Sequence, residues 1–331
     1  MSNAISDAMT KGWAKLEALP RQSLSDLFRA EDRLDRFATV LELPGGPVRF
    51  DWSKTHLDPQ LVAAFENLAA VAGFSERRHA LFAGEKINIT EGRAVEHTAQ
   101  RGVGREDAVD QAGALHARMR ALVEAIHRGL LGEIKYLIHI GIGGSALGPD
   151  LAIDALARDA ALVDVHVVSN IDGCALEAAF AACDPATTLI AVASKTFTTI
   201  ETMTNAASAL AWLAENGVSD PYGRVIALTA APDMAVEWGI DETRVLPFNA
   251  SVGGRYSLWS SIGFPVALAL GWDEFAALLD GAAAMDRHFL EADGFANLPL
   301  RAAMADQYYT RLRGCQTRAV FAYDERLRLF P

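Results

Sequence analysis

Three short runs of this sequence concentrate the residue types that hold anions. Gly141-Ile142-Gly143-Gly144-Ser145-Ala146-Leu147-Gly148 is rich in glycine. Ser194-Lys195-Thr196-Phe197-Thr198-Thr199-Ile200-Glu201 opens with four hydroxyls and an ammonium among six residues. Val252-Gly253-Gly254-Arg255-Tyr256-Ser257 places a guanidinium directly after paired glycines. Glycine lets the backbone approach a ligand closely, and the start of a helix favours negative charge. Hydroxyls, backbone N–H groups and one cation can together enclose a phosphate dianion. An arginine fixed behind two glycines can stabilise negative charge that develops on a reacting oxygen.

Each run also admits a plainer reading. Gly141-x-Gly143-x-x-Ala146 loosely fits a dinucleotide fingerprint, but the acidic residue needed about 20 positions on would have to be Asp164, early in the next strand. It could equally be a tight turn. Thr198-x-x-Glu201 fits a capping box, which would use one hydroxyl and leave the others free. Arg255 could be a surface arginine after a flexible turn. Asn170-Ile171-Asp172-Gly173 could line the same pocket or form an Asx turn at a helix start.

The elements that must position these runs follow from hydrophobic pattern. From about residue 134, short runs rich in β-branched residues alternate with helical patterns: 134–140, 163–169, 188–194, 224–229 and, more weakly, 245–248. Strands of this kind joined by helices predict an α/β fold, a doubly wound parallel sheet of five strands covered on both faces. Ligands then bind at the carboxyl ends of the strands, where all three runs lie. Residues 1–105 read as a mostly helical amino-terminal segment, with 48–52 as a short strand. Residues 106–290 form the α/β domain, and 291–331 form a helix plus a strand at 318–323 that opens a second such lobe.

Composition bounds the chemistry. The chain has 331 residues, 51% hydrophobic and 22% charged, with 30 Lys and Arg against 42 Asp and Glu for a net charge of −12. Such a balance predicts no nucleic-acid or anionic-membrane partner, so an anion must be held by local features. The three cysteines, Cys174, Cys183 and Cys315, lack metal-like spacing and read as reduced thiols. The histidines show no His-Glu-x-x-His pattern, and no metal is expected. Without a signal core or an apolar run near the roughly 20 residues that span a bilayer, the expected location is the cytoplasm.

The three runs, in this order and spacing, resemble the glucose-6-phosphate isomerase (phosphoglucose isomerase) family. Arg36-Phe37, Asp51-Trp52-Ser53-Lys54, Gly84-Glu85-Lys86-Ile87-Asn88-Ile89-Thr90-Glu91-Gly92-Arg93-Ala94 and His97 extend the resemblance through most of the chain. It implies a pair of sugar isomerase (SIS) lobes that interconvert glucose 6-phosphate and fructose 6-phosphate through a cis-enediolate, without a redox cofactor. Carried over by motif, Ser145, Ser194, Lys195, Thr196 and Thr199 correspond to positions that contact phosphate or substrate, and Thr202 belongs to the same motif. Gly143 and Gly144 shape the wall, Arg255 supports the enediolate and Glu201 assists a ring-opening histidine.

The resemblance also implies a homodimer, and a glutamate base in a Glu-Ser-Asn-Gly-Lys run shortly beyond Phe330-Pro331. That run does not occur in these residues, and neither Glu201 nor Glu325 replaces it by residue type alone. The expectation is a binding half whose second lobe is cut short and which is inactive alone. The alternative is a phosphosugar-binding module without catalysis.

Overall fold

The structure is a computed structural model that describes residues 3–331. These form two compact units. One comprises residues up to Ile87 together with Asp280–Val320, the other Asn88–Leu279 together with Phe321–Pro331. The units change over at 87/88 and 279/280, beside the 105/106 and 290/291 of the sequence reading.

The first unit is built on helices Asn3–Ala18, Pro59–Val71, Phe74–Phe82 and Leu298–Gln307, the last running into a π turn at Tyr308–Leu312. Trp13, Leu16, Phe65, Leu68, Met304 and Tyr308 fill its core. A hairpin pairs β1 (Ala38–Leu43) with β2 (Gly46–Asp51). The expected strand at 48–52 is therefore half of a ladder, and Pro44-Gly45 is its turn. Arg33, only 3% exposed, donates to the carbonyls of Ser53 (2.8 Å), Leu57 (3.2 Å) and Thr55 (2.5 Å). One fixed guanidinium fork thus holds the whole turn that contains Ser53 and Lys54.

The second unit carries the sheet. Strands β3 (Tyr136–Gly141), β4 (Asp164–Val168), β5 (Thr188–Ala193), β6 (Val225–Thr229) and β7 (Val245–Pro247) are all parallel, in the spatial order β4-β3-β5-β6-β7. Every residue of β5 and β6 is buried, which is why they read as unbroken apolar runs. Alternate residues serve opposite faces. Leu137, Leu189, Ala191 and Leu228 pack with Met119, Val123 and Ala152, and also with Val266 and Phe275. Ile138, Ile140, Ile190 and Val192 pack with Leu176, Ala179, Ala206, Leu213 and Ala235.

This alternation decides where a ligand can enter. Ala152 lies in helix Gly144–Leu156, which follows β3, and Leu213 lies in helix Ile200–Glu215, which follows β5. The two helices therefore leave neighbouring strands toward opposite faces. A crevice opens between the carboxyl ends of β3 and β5, the switch point at which doubly wound sheets bind ligands.

Residues 318–323 form no strand. A strand is defined by its ladder, and this run finds no neighbour to pair with; Phe321 and Tyr323 lie exposed. The chain then returns to the α/β unit, where Arg326 pairs with Asp159 and Arg328 with Asp154.

Arg33→Met keeps the aliphatic stem but leaves three buried carbonyls without a donor. It should destabilise the fold by roughly 2–4 kcal/mol, read from the urea midpoint. A midpoint unchanged from the parent would mean that water satisfies the turn.

Candidate functional site

The glycine run bends where β3 gives way to its helix. A Cβ added at Gly141 would lie 3.0 Å from the Ser145 carbonyl oxygen and 3.1 Å from Ala193 Cβ, so the loop folds tightly over the end of β5. Gly143 has φ +61°, a conformation that side chains resist. Gly144 is the most constrained. Its missing Cβ would sit 2.1 Å from the Gly254 carbonyl oxygen and 2.6 Å from the Arg255 nitrogen. The first and third runs thus touch backbone to backbone, and only glycine permits it. Ser257 Oγ strengthens the junction, donating to Gly254 O (2.6 Å) and lying 3.3 Å from Gly144 O.

Beneath this loop lies a residue absent from the sequence-level site. His139 is fully buried on β3, and its Nε2 lies 2.7 Å from the Ser145 carbonyl oxygen. A carbonyl only accepts, so Nε2 carries the hydrogen and Nδ1 is a bare lone pair, buried without a partner among the described residues. Burial pushes the imidazole down to about 4, against a weaker upward pull from that hydrogen bond. The ring is neutral at physiological pH.

The second run is shaped by Phe197. It is the one non-glycine residue with positive φ (+55°) among the described residues, and its ring is buried edge-on against Trp238 at 5.9 Å. Anchoring this ring turns the chain so that Thr196 and Thr198 on either side are exposed, with their hydroxyls 2.8 Å apart. Ser194 is buried and its hydroxyl lies 2.9 Å from Thr199 Oγ1. The run therefore departs from the capping-box reading. Thr199 is the N-cap, one residue later than expected, and its side chain serves Ser194 instead of a helix amide. Glu201 is exposed in the first helical turn. Thr202 is buried, and its hydroxyl finds no partner among the described residues.

Lys195 links the second run to the third. Its ammonium donates to the carbonyls of Ala250 (2.7 Å) and Val252 (3.2 Å), and Arg93 donates to the same Ala250 carbonyl. Partial burial, then the nearby Arg93 charge, lowers the Lys195 pKa. Two cations thus grip one turn through dipoles and not through a carboxylate. Glu96 N–H donates to Ser251 O (3.3 Å) and His97 stacks on Tyr256 at 4.8 Å, so the 88–97 segment packs along the Gly-Gly-Arg run. Arg255 itself is exposed and makes no hydrogen bond or ion pair among the described residues.

The structure therefore brings Gly143, Gly144, Ser145, Ser194, Lys195, Thr196, Thr199 and Arg255 onto loops and helix starts at one end of the sheet. Asn170 and Asp172 take the plainer of their two readings. Asp172 N–H donates to Asn170 Oδ1 (3.1 Å), and Asp172 Oδ1 caps the next helix through Cys174 N–H (2.8 Å). His139 and Arg93 lie outside the three runs, the one a histidine inside an apolar strand and the other a basic residue in the 84–94 segment.

A family model described as phosphoglucose isomerase matches residues 51–331. A protein named glucose-6-phosphate isomerase from Novosphingobium aromaticivorans is 72% identical over 319 residues, covering 96% of this chain and 63% of its own length. One from Erythrobacter litoralis is 66% identical, covering 99% of this chain and 65% of the relative. A solved glucose-6-phosphate isomerase from Chlamydia trachomatis superposes with a TM-score of 0.81 at 25% identity, covering 99% of this chain and 64% of that one. The chain thus spans a little under two thirds of the length of these relatives.

Two outcomes test the geometry. Gly144→Ala must displace the Gly254–Arg255 backbone and should cost about 1–3 kcal/mol in denaturant unfolding. Gly254→Ala has no atom within 4 Å of the new methyl and should change stability by less than about 0.5 kcal/mol. Equal effects would show that the two loops do not interlock.

The second concerns pH. With its folded pKa lowered to about 4, neutral His139 contributes stability that is complete above the unfolded value near 6.5 and fades as pH falls toward 4. The pH dependence of stability, compared between the parent and His139→Leu, should differ across that window by on the order of 3 kcal/mol. Parallel curves would mean that the ring is solvated.

Proposed function

Because this chain belongs to the phosphoglucose isomerase family, we propose that it carries the phosphosugar-binding half of a glucose-6-phosphate isomerase, which interconverts glucose 6-phosphate and fructose 6-phosphate. The observation that carries the reading is the meeting of three runs at the β3/β5 switch point, with Gly144 seated against Gly254–Arg255. Hydroxyls from Ser194, Thr196 and Thr199, with Ser145 in the first turn of the helix after β3, supply donors suited to a phosphate dianion. The amino ends of two helices add positive potential at the same edge.

Lys195 has three N–H donors, two of them directed at Ala250 and Val252. In this reading the third is left for phosphate, and the lysine both binds substrate and braces the Gly-Gly-Arg turn. Arg255, exposed and unpaired among the described residues, supplies charge where an enediolate oxygen becomes negative. Thr202 lines the same helix start, and Glu201 assists the histidine that opens the sugar ring. The enolisation moves a proton between C2 and C1 beside a carbonyl, a task for a carboxylate base and not for a redox cofactor. The Glu-Ser-Asn-Gly-Lys run expected to hold that base is not among these residues, so these residues alone are expected to bind without turning over. In the working enzyme, a cytoplasmic homodimer in glycolysis and gluconeogenesis, a second subunit contributes the histidine.

Calorimetric titration with 6-phosphogluconate, an open-chain phosphosugar acid, tests the binding half. Saturable binding with no activity in a coupled isomerase assay is the expected result. Absence of binding overturns the reading, and stoichiometric turnover overturns the inactivity. In an active form of the protein, Arg255→Ala should lower kcat more than it raises KM, because the enediolate charge grows toward the transition state. An effect on KM alone would make Arg255 a ground-state binder. Lys195→Ala should weaken phosphosugar binding by roughly 1–3 kcal/mol.

A further inference from the structure

An α-helical carbonyl normally accepts the N–H four residues on. For Ser145 that residue is Pro149, which lies inside helix Gly144–Leu156 and has no N–H to give. A proline at this position also crowds the carbonyl four residues before it, tilting it away from the helix axis. The Ser145 carbonyl would be left unsatisfied at the turn that bears the candidate phosphate-binding serine. The structure instead directs a side chain to it from the strand below.

His139 is placed for that purpose. It sits on β3, paired on one side with β4 opposite Val167 and on the other with β5 opposite Ala191, so its backbone is among the most confined in the sheet. Its Nε2 reaches the Ser145 carbonyl at 2.7 Å, a distance within the range of good hydrogen bonds. We infer that His139 is a positioning residue for the glycine loop. As the neutral Nε2–H tautomer it gives the Ser145 carbonyl the hydrogen bond that Pro149 cannot, and so sets the pose of Gly143, Gly144 and Ser145 against Arg255.

Two features separate this role from ordinary core packing. An apolar residue of the same volume would fill the space without leaving Nδ1 buried and unpartnered, an arrangement that raises the energy of the site unless Nε2–H is needed. The acceptor is also specific. Gly141 is confined by this same Ser145 carbonyl at 3.0 Å, so moving that oxygen moves the loop at both of its ends.

The value of this for binding rests on the phosphosugar reading above, and the experiment separates the two. In the parent chain, ¹⁵N–¹H NMR of the histidine ring should show His139 with Nε2 protonated and Nδ1 bare at pH 7. An Nδ1–H tautomer or a charged ring overturns the inference whatever the chain binds. His139→Leu removes the donor, and His139→Gln returns an N–H near the Nε2 position. Amide hydrogen exchange at residues 143–147 should quicken at least tenfold in the leucine variant and return to within about threefold of the parent in the glutamine variant. Titration with 6-phosphogluconate should follow the same order, with a ten- to hundredfold loss and then recovery. Unchanged exchange and affinity in the leucine variant, or no rescue by glutamine, would overturn the positioning role. If the parent fails to bind 6-phosphogluconate, the phosphosugar reading falls, while the tautomer and exchange measurements still decide the role of His139.

Discussion

The site depends on one reversal of direction in the sheet. After β3 the chain crosses to one face, and after β5, the neighbouring strand, it crosses to the other. Had both helices covered the same face, the loops that follow β3 and β5 would have packed against each other and closed the edge. Instead they part, and the parting is stabilised by two independent layers of core. Leu137, Leu189 and Ala191 bind one set of helices, Ile138, Ile140 and Ile190 the other. The alternation of side chains along a strand, a matter of backbone geometry alone, is what keeps the crevice open.

Onto this edge the molecule brings positive character without making itself positive. The chain carries a net charge of −12, and Lys195, Arg93 and Arg255 bring positive charge to the loops at the crevice. Lys195 and Arg93 are steadied by carbonyl dipoles of one turn, and Arg93 also pairs with Glu91. A carboxylate on Lys195 would cancel the charge that an anion needs to find, whereas carbonyls orient the ammonium and leave its charge in place. Local dipoles and one braced turn do here what a basic surface does in nucleic-acid binders.

Much of this was legible in the sequence, and for identifiable reasons. The five strands were visible because Val- and Ile-rich runs alternate with helical ones, and the strands buried on both faces carry few polar residues, among them His139 and Thr188, to confuse the pattern. The three loops were visible because glycine, hydroxyls and arginine cluster at strand ends. The hairpin at 38–51 was half hidden, since Pro44-Gly45 punctuates a hairpin as well as it ends a helix. The cap at Thr199 was misplaced by one residue, because choosing between adjacent threonines depends on Ser194 taking one of the hydroxyls. The 318–323 run has strand chemistry but finds no ladder, and pairing is a property of neighbours and not of composition. His139 became meaningful only when Ser145, Pro149 and β3 were seen together, a relation across three elements that no single window contains.

Phe197 ties the site to the core behind it. A phenylalanine with φ +55° is held against its backbone preference by about 1–2 kcal/mol, and what holds it is a ring lodged beside Trp238. Trp238 stands at the end of helix Pro232–Glu237, the helix that follows β6. The loop between Ser194 and Thr199 therefore owes its shape to a wall supplied by the next strand–helix unit and not by β5 alone. The arrangement of the hydroxyl cluster is thereby tied to the closure of one face of the core.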